Sequence, residues 1–568
     1  MKKLLTYFCA TLCAGSLFAE SVWVATIEVD SIQSLQTGIE AFCRASDIPL
    51  PPGGISKLTS DTLKEVLPLP SLDTAVSFKD PIRVFVLENA SEPLNTGGAP
   101  VLLFALTLPA EAKALQDQLA QVYGGRRDAG NIITFSAPPN PQLPANLLLS
   151  VSEGNKALLA TSEAAFTWFK QQQKLENFLP IAGSQALRAC VNMKRLMEAL
   201  PDGQPNPLAP MLGDLDYFSV AVAPNAQALT LSYGMRAKAG SLLASLIDAS
   251  LKQPDAALWN GLPANALFAF IGQEPKAEDM QKLMKAYFQQ DTPLDPIRVK
   301  LEQTLTGDLI RYLVPTKDQK GIRLVDVNPM KDSAAAKEIL KTLGQSELSP
   351  GVKLQKEGTR EAGGLTIERY SLVFDVNAIM QDAMQRAGED MPVPDMGAMT
   401  GMGTVFSLFA KNIVFEFTVK DNYLISAVSP MGATDDWVPA LPFAAPAVTL
   451  DKKIAALDPT ATPLLGAYEL RLMPLLKQIV SMLPNVKPEH VNLFAAATDP
   501  VQVWMSRTAD NTTVATVRVP TSEVAAIVKL TQQGTAVFQE LFFSVIAGQM
   551  QQLMMQPVPP AAIPPPNF

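Results

Sequence analysis

Few residues in this sequence could support catalysis. His490 is the only histidine among 568 residues, so a cluster of histidine metal ligands cannot form, and Ser-His or Cys-His catalysis would depend on this one residue. It follows Pro488 and Glu489, which predicts a helix start at the surface and a solvated or capping imidazole. The GxSxG, SxxK, P-loop and GxGxxG patterns do not occur. The common hydrolase and nucleotide-binding mechanisms therefore lack support.

Two weaker patterns offer metal ligands. Asp214 and Asp216 are alternate residues and would present two carboxylates to a cation if the segment were extended, although a polar turn before residues 217–222 is the favoured explanation. A second group of thioether side chains suits Cu(I), or else belongs to a loop rich in Met, Gly and Pro. Its members are Met391, Met396, Met399 and Met402. We expect no bound metal and no cofactor.

The cysteines indicate a choice between a bridge and a core position. Cleavage of an N-terminal signal would leave only Cys43 and Cys190, and an oxidising compartment would permit one disulfide between them. The alternative is two buried apolar side chains, because Cys43 falls on the apolar side of a predicted helix and Cys190 near a strand start. Neither has a CxxC partner, so a redox role is not expected.

The first nineteen residues have the pattern of a secretory signal. Lys2 and Lys3 precede an apolar stretch at 4–17, and Ala19 before Glu20 marks the expected cleavage point. The sequence therefore predicts a periplasmic or secreted protein, and integral membrane insertion is not expected after cleavage. Without Lys2 and Lys3 the chain has 44 basic and 55 acidic side chains, so it does not resemble a nucleic-acid-binding protein.

The order of strand and helix patterns is repeated along the chain. A strand at 22–29, a cap at Asp30–Ser31 and an amphipathic helix have counterparts that start near residue 263. Later pairs keep the same order, and the separation grows from 241 to 284 residues. The other matched segments are 102–108 with 322–327, 130–136 with 363–374, 147–160 with 414–428, 189–200 with 467–482, and 229–251 with 513–530.

These patterns predict an α+β protein made by internal duplication, with two related lobes, each a mainly antiparallel sheet with helices packed on one face. The predicted boundaries are a signal peptide at 1–19, a first lobe at 20–255 and a second lobe at 256–535, with an insertion at about 381–403. An amphipathic helix at 536–556 and a proline-rich tail at 557–568 complete the chain.

One segment carries a resemblance to known proteins. Residues 154–170 combine an acidic, glycine-containing turn, a strand ending in Ala160-Thr161-Ser162, and a helix. This arrangement resembles exported bacterial proteins of a duplicated α+β family whose function is unknown. The resemblance implies the fold and export, and it implies no catalytic residues. The second half differs, since it has Ala427-Val428-Ser429 at the matching place.

Three functional hypotheses follow. The first is a non-catalytic envelope protein that binds a protein, peptide or apolar ligand on a sheet face or in a groove, and it predicts an unusually large apolar surface. The second is a hydrolase that uses carboxylates alone, which requires two carboxyl groups in one cleft, at least one of them with a raised pKa. The third is a structural spacer of the cell envelope.

Overall fold

The chain forms one large antiparallel sheet, and successive side chains along its strands alternate between the two faces. In this computed structural model the described residues are 21–55, 57, 77–89, 100–108, 126–127, 132–135, 147–151, 156–172, 181, 185–199, 209–290, 294, 296–345, 347–349, 351–375, 378, 413–430, 433, 437–439, 443, 449–482, 486–494 and 498–532. The predicted signal peptide (1–19), insertion (381–403), C-terminal helix (536–556) and tail (557–568) lie outside them.

The described residues form 21 strands. Those of the first part of the chain are β1 (Ser21–Val29), β2 (Ile82–Asn89), β3 (Val101–Thr107), β4 (Arg126–Arg127), β5 (Ile132–Phe135), β6 (Leu147–Val151), β7 (Lys156–Ala160), β8 (Leu187–Asn192), β9 (Leu215–Pro224) and β10 (Ala228–Ala237). The remainder are β11 (Phe268–Gln273), β12 (Asp308–Pro315), β13 (Ile322–Pro329), β14 (Glu347–Ser349), β15 (Val352–Ala362), β16 (Leu365–Phe374), β17 (Ile413–Lys420), β18 (Tyr423–Pro430), β19 (Leu464–Leu470), β20 (Val501–Arg507) and β21 (Thr513–Pro520).

The helices begin at polar caps in several cases. Ser31, as predicted, accepts a hydrogen bond from the backbone N–H of Ser34 at 3.1 Å. The helices are α1 (Ile32–Ala45), α2 (Glu163–Gln171), α3 (Met193–Ala199), α4 (Ala209–Gly213), α5 (Leu242–Ser250), α6 (Ala277–Phe288), α7 (Pro296–Thr304), α8 (Ser333–Thr342), α9 (Leu450–Leu457), α10 (Leu472–Met482), α11 (Pro488–Asn492) and α12 (521–532). Short 3₁₀ turns occupy Ala256–Gly261 and Leu343–Gln345. No helix in this described part of the chain is long and apolar enough to cross a membrane.

Strand pairing continues without a break through the middle of the molecule. From one edge to the centre the order is β4, β5, β6, β7, β3, β2, β1, β8, β9, β10. It then continues as β21, β20, β19, β11, β12, β13, β18, β17, β16, β15, β14. The prediction of a separate sheet in each lobe is therefore wrong. β10 and β21 pair from Ala228↔Pro520 to Met235↔Thr513, which joins both halves into one sheet.

Helices cover both faces of the sheet. Leu424 of β18 packs with Ala336 and Leu340 of α8, whereas the next residue, Ile425, packs in the core that contains Leu450 of α9. Because successive strand residues point to opposite faces, α8 and α9 lie on opposite sides. The prediction of helices on one face only is therefore wrong. A sheet this wide has two faces to bury, and helices on one side could cover only one of them.

Two matched segments begin as strands and end as helices. Residues 189–200 and 467–482 contain apolar residues at helical spacing, but each begins with strand residues, in β8 and β19, and only then continues as α3 and α10. β8 pairs with both β1 and β9, and β19 pairs with both β11 and β20. These ladders satisfy the backbone groups on both sides of each segment, and this outweighs the local helical pattern.

A buried charge cluster holds the outer strands of the second half together. Glu416 of β17 is fully buried, and it accepts hydrogen bonds from Arg360 Nε at 2.7 Å and Ser429 Oγ at 2.9 Å. Arg369 Nε lies 3.5 Å from the same carboxylate, and Arg323 Nε donates to Ser429 Oγ at 2.8 Å. The cluster links β13, β15, β16, β17 and β18 through one carboxylate.

Removing this carboxylate should strongly destabilise the fold. Glu416→Ala leaves the surrounding guanidinium groups without their central acid in a buried place, so we expect a loss of about 3–5 kcal/mol in the free energy of unfolding. Glu361→Ala, at an exposed position of β15, is the matched control and should change stability little. Urea unfolding followed by tryptophan fluorescence measures both. Equal midpoints for the two variants would show that the cluster does not stabilise the sheet.

Candidate functional site

The central strands expose apolar side chains on one face. In β9, β10, β20 and β21, alternate residues are apolar and only partly buried, and Tyr233 is 36% exposed. We call this surface the open face. It comprises Val220, Val222, Leu229, Leu231, Tyr233, Val501, Val503, Met505, Ala515, Val517 and Val519. This partly exposed apolar surface crosses four adjacent strands, which makes it a candidate binding surface.

The opposite face of these strands is buried and mixes polar with apolar side chains, such as Trp504. Ser232 and Thr516 share a hydrogen bond of 3.0 Å across the β10–β21 pair, and Ser219 Oγ donates to the Gly234 carbonyl at 3.2 Å. A side chain at Gly234 would collide with the Ser219 hydroxyl, so glycine is required for this contact. The buried polar groups are thus satisfied within the sheet, and the open face carries the partly exposed apolar side chains.

Helices flank the open face at two places. At one end α3, α4, α5 and α6 form a cluster with Phe218 and Met235 of the central strands. α10, α11 and α12 form a second cluster around Met473 and Phe494. Of nine large apolar side chains that are exposed among the described residues, seven lie on these helices or on the open face. They are Leu196, Tyr233, Met280, Phe288, Ile479, Met482 and Ile527.

A charged group lies beside the open face on strands β11 to β13. Arg311 donates two hydrogen bonds to Asp326, from Nε to Oδ1 at 2.7 Å and from Nη2 to Oδ2 at 2.8 Å. Glu274 follows β11, and desolvation raises the pKa of its carboxyl group, while Arg311 and Arg298 act in the opposite direction. Asp326 and Glu302 raise this pKa further by repulsion. The group thus combines a bidentate ion pair with a nearby carboxyl group whose pKa is raised.

This group meets part of the requirement for a carboxylate hydrolase. Glu274 has the raised pKa, but its neighbouring carboxylates are already engaged by arginines. Asp326 is paired with Arg311, and Glu302 accepts from Arg298 Nε at 2.8 Å and from the Ala277 N–H at 2.8 Å. A carboxylate held in such contacts is less available as a nucleophile or base, because each hydrogen bond stabilises its charge.

The other candidate ligands are dispersed. Asp214 lies in the turn before β9 and accepts a hydrogen bond from Tyr287 at 2.5 Å, whereas Asp216 accepts from Arg236 at 3.2 Å. The two carboxylates therefore serve different partners and do not form a cation site together. Among the residues that the structure describes, no group of three or more His, Cys, Asp or Glu side chains could hold a metal. The four methionines proposed for Cu(I) lie outside them.

The environment predicted for His490 is wrong. It lies on α11, a short helix that begins at Pro488 as the proline suggested, but its side chain is buried. The adjacent residues Val491 and Phe494 belong to the apolar cluster beneath α10 and α12. Tertiary packing of this cluster encloses the imidazole, and the local sequence alone, with Pro, Glu and Lys nearby, did not indicate such burial.

The two cysteines are free thiols in the structure. Cys43 is partly buried on α1, and Cys190 is buried on β8, so the structure does not bring them together as a disulfide. Burial raises the pKa of Cys190 to about 12, and burial together with the nearby Glu40 raises the pKa of Cys43. A raised pKa leaves little thiolate at neutral pH, which makes both side chains poor nucleophiles.

Comparisons with known proteins add little to this picture. No known protein family and no curated protein matches the chain. Among solved structures, one titled "Structure of crystal form IV of TP0453" is similar over 38% of this chain and 77% of that chain, with 7% identity and a TM-score of 0.22. A likeness at this level carries no argument about fold or function. The resemblance to exported duplicated proteins therefore stays a prediction.

Thiol titration distinguishes the free and bridged states of the cysteines. We expect two reactive thiols when the mature protein is unfolded in denaturant without reductant. In the native protein Cys190 should resist alkylation at pH 8, since a thiol with a pKa of about 12 is thiolate only at about one part in ten thousand. Mass spectrometry counts the alkylated thiols in the unfolded and in the native protein. Finding no reactive thiol after unfolding would instead support the disulfide.

The raised pKa of Glu274 predicts a pH dependence of stability. The folded protein holds this proton more tightly than the unfolded chain, so Glu274 makes stability fall as pH rises from about 4.3 through its folded pKa. Glu274→Gln removes this loss, and its stability relative to the wild type should therefore increase between pH 4 and pH 7. Glu278→Gln, at an exposed position on α6, should show no such trend. Urea midpoints at both pH values are the measurement, and parallel trends for the two variants would contradict the assignment.

Proposed function

We propose that this protein is an exported, non-catalytic envelope protein that binds an apolar ligand on the open face. One observation carries the proposal: four neighbouring central strands direct apolar side chains toward one side, where they are only partly buried and Tyr233 is exposed. Water contact with apolar surface costs about 25 cal/mol per Å², so a ligand that covers the open face gains this free energy on binding.

The helices beside the open face support the same proposal. Along α10, Leu472, Leu475, Ile479 and Met482 recur at helical spacing and are partly or fully exposed, whereas Met473 and Val480 on another side are buried. α10 thus has a second apolar stripe in addition to the one that packs in the core. Such a stripe suits contact with an apolar ligand that extends beyond the sheet.

We also infer that the two halves of the sheet arose by duplication. Counted outward from the central pair, β10, β9, β8, β1, β2 and β3 correspond to β21, β20, β19, β11, β12 and β13, and the intervening helices follow the same order. Ser232 pairs with Thr516, and these residues are 284 positions apart, which is the separation found between residues 229 and 513 in the sequence. A two-fold axis through this pair relates the halves, so both would contribute to the open face.

Export is supported by the signal pattern at residues 1–19. Cleavage after Ala19 would place the new N-terminus one residue before β1. We propose a periplasmic or secreted location on this basis. A purely structural spacer would have no need of an open apolar face, and a carboxylate hydrolase would be favoured only by the raised pKa of Glu274.

A charge on the open face should abolish ligand binding. Tyr233→Asp places a carboxylate in the middle of the open face at an already exposed position, so we expect the affinity for an apolar probe such as Nile red to fall at least about tenfold, equivalent to about 1.4 kcal/mol. The matched control is Val373→Asp on β16, since Val373 is an apolar strand residue of 42% exposure outside the open face. It should change the affinity less than about twofold.

Fluorescence titration of the mature protein and both variants gives these affinities. Native mass spectrometry of protein from its own envelope fraction should also show a retained apolar ligand on the wild type and none on Tyr233→Asp. Failure of the wild-type protein to bind any apolar probe, or equal binding by Tyr233→Asp, would contradict the proposal.

A further inference from the structure

A straight row of side chains crosses the open face in register. Each member pairs with the next across neighbouring strands. The row consists of Phe270 and Tyr468 beside the open face, followed by Val503, Val517, Leu231 and Val222 on it. Phe270 is buried and stacks on Tyr468, and the other five are partly buried. Strands lie about 4.8 Å apart, so these six residues span about 24 Å. The row is an apolar track across the strands, and it is long enough to contact an extended alkyl chain.

The row ends at the Arg311–Asp326 ion pair. Arg311 is the register partner of Phe270, and Asp326 is the register partner of Arg311, so both continue the same line on the same face. Their side chains are 36% and 19% exposed. Asp326 accepts hydrogen bonds from Nε and Nη2 of Arg311. A guanidinium has five N–H donors, so others are available to an oxyanion at the end of the track.

The other half of the sheet has no charge at the matching place. Under the two-fold relation, Arg311 corresponds to Val84 and Asp326 to Phe104, which also pair with each other. Val84 and Phe104 pack in an apolar core. An ion pair at such a position bears a desolvation cost that an apolar pair avoids. Stability therefore does not account for the charges, whereas recognition of a polar group on a ligand does.

Glu274 determines which polar group fits. Of the charged side chains that act on it, Arg311 pairs with Asp326, and Arg298 pairs with Glu302 at 2.8 Å. Glu274 is thus the third carboxylate beside two arginines, and the residue is exposed to solvent. A cation on the ligand would complement its charge, while the remaining N–H groups of Arg311 would donate hydrogen bonds to a phosphate oxygen.

We propose that the ligand is a zwitterionic amphiphile whose alkyl chain lies along this row, with its phosphate at Arg311 and its amine at Glu274. This inference rests on the proposed function of the open face, and it adds the class of ligand. An anionic amphiphile with the same chain would bind the track but would be repelled by Glu274.

Two lysophospholipids with the same myristoyl chain test the inference. Below their micellar concentrations, the wild-type mature protein should bind the zwitterionic lysophosphatidylethanolamine about tenfold more tightly than the anionic lysophosphatidylglycerol, as measured by isothermal titration calorimetry. Glu274→Gln should reduce this preference to less than about threefold, mainly by weakening the binding of the zwitterionic lipid, whose amine loses its partner. Glu278→Gln, an exposed α6 position four residues away, should keep the preference.

A second variant tests whether weaker lipid binding reflects a general loss of structure. Arg311→Lys retains the positive charge but not the bidentate geometry, and it should weaken the binding of both lipids while Nile red still binds the open face. The inference is overturned if the wild type binds both lipids equally, or if Glu274→Gln keeps the full preference. In those cases the open face would still bind apolar chains. If neither lipid nor Nile red binds the wild type, the proposed function fails as well.

Discussion

The pairing of β10 with β21 is the constraint on which the rest of the structure depends. Eight register pairs join the two strands, and every other strand extends outward from them. Ser232 and Thr516 hydrogen-bond at the middle of this ladder. On the buried face opposite the open face, Tyr217 of β9 donates to Asp510 in the turn before β21 at 2.8 Å. This bond also links the two halves. A gap at this junction would divide the open face into two smaller surfaces.

Hydrogen bonds on the buried side of the central strands lower the energetic cost of burying polar side chains there. Buried hydroxyl groups are costly unless they are hydrogen-bonded. Here neighbouring strands satisfy one another: Ser219 bonds to the Gly234 carbonyl, and Ser232 bonds to Thr516. These contacts lie within the sheet, so the polar groups are satisfied beside the buried Tyr217, Ala221 and Ala228 of the same side. The other apolar residues of β9 and β10 point to the open face, where a ligand has access to them.

Sequence patterns predicted the content of the fold better than its assembly. The order of strands and helices in the two halves could be read from hydrophobic spacing, because this spacing reflects local burial. The pairing of residue 228 with residue 520 could not, since it joins segments almost 300 positions apart and depends on edges that are formed only after each half folds. Similarly, alternation in β18 shows that Leu424 and Ile425 face opposite sides, but not that helices cover both.

The candidate site was harder to predict from the sequence than the fold. Alternating patterns in β9 and β10 reveal two faces, yet they do not tell which face is buried, and convention would place the valines and leucines inside. The Arg311–Asp326 pair was also missed, because the two residues are fifteen positions apart on separate strands and neither belongs to a known motif. Comparison of equivalent strands could have found it: β2 carries Val84 where β12 carries Arg311. Under the duplication that we propose, the signal to look for is a charge that replaces an apolar residue at one of two equivalent places.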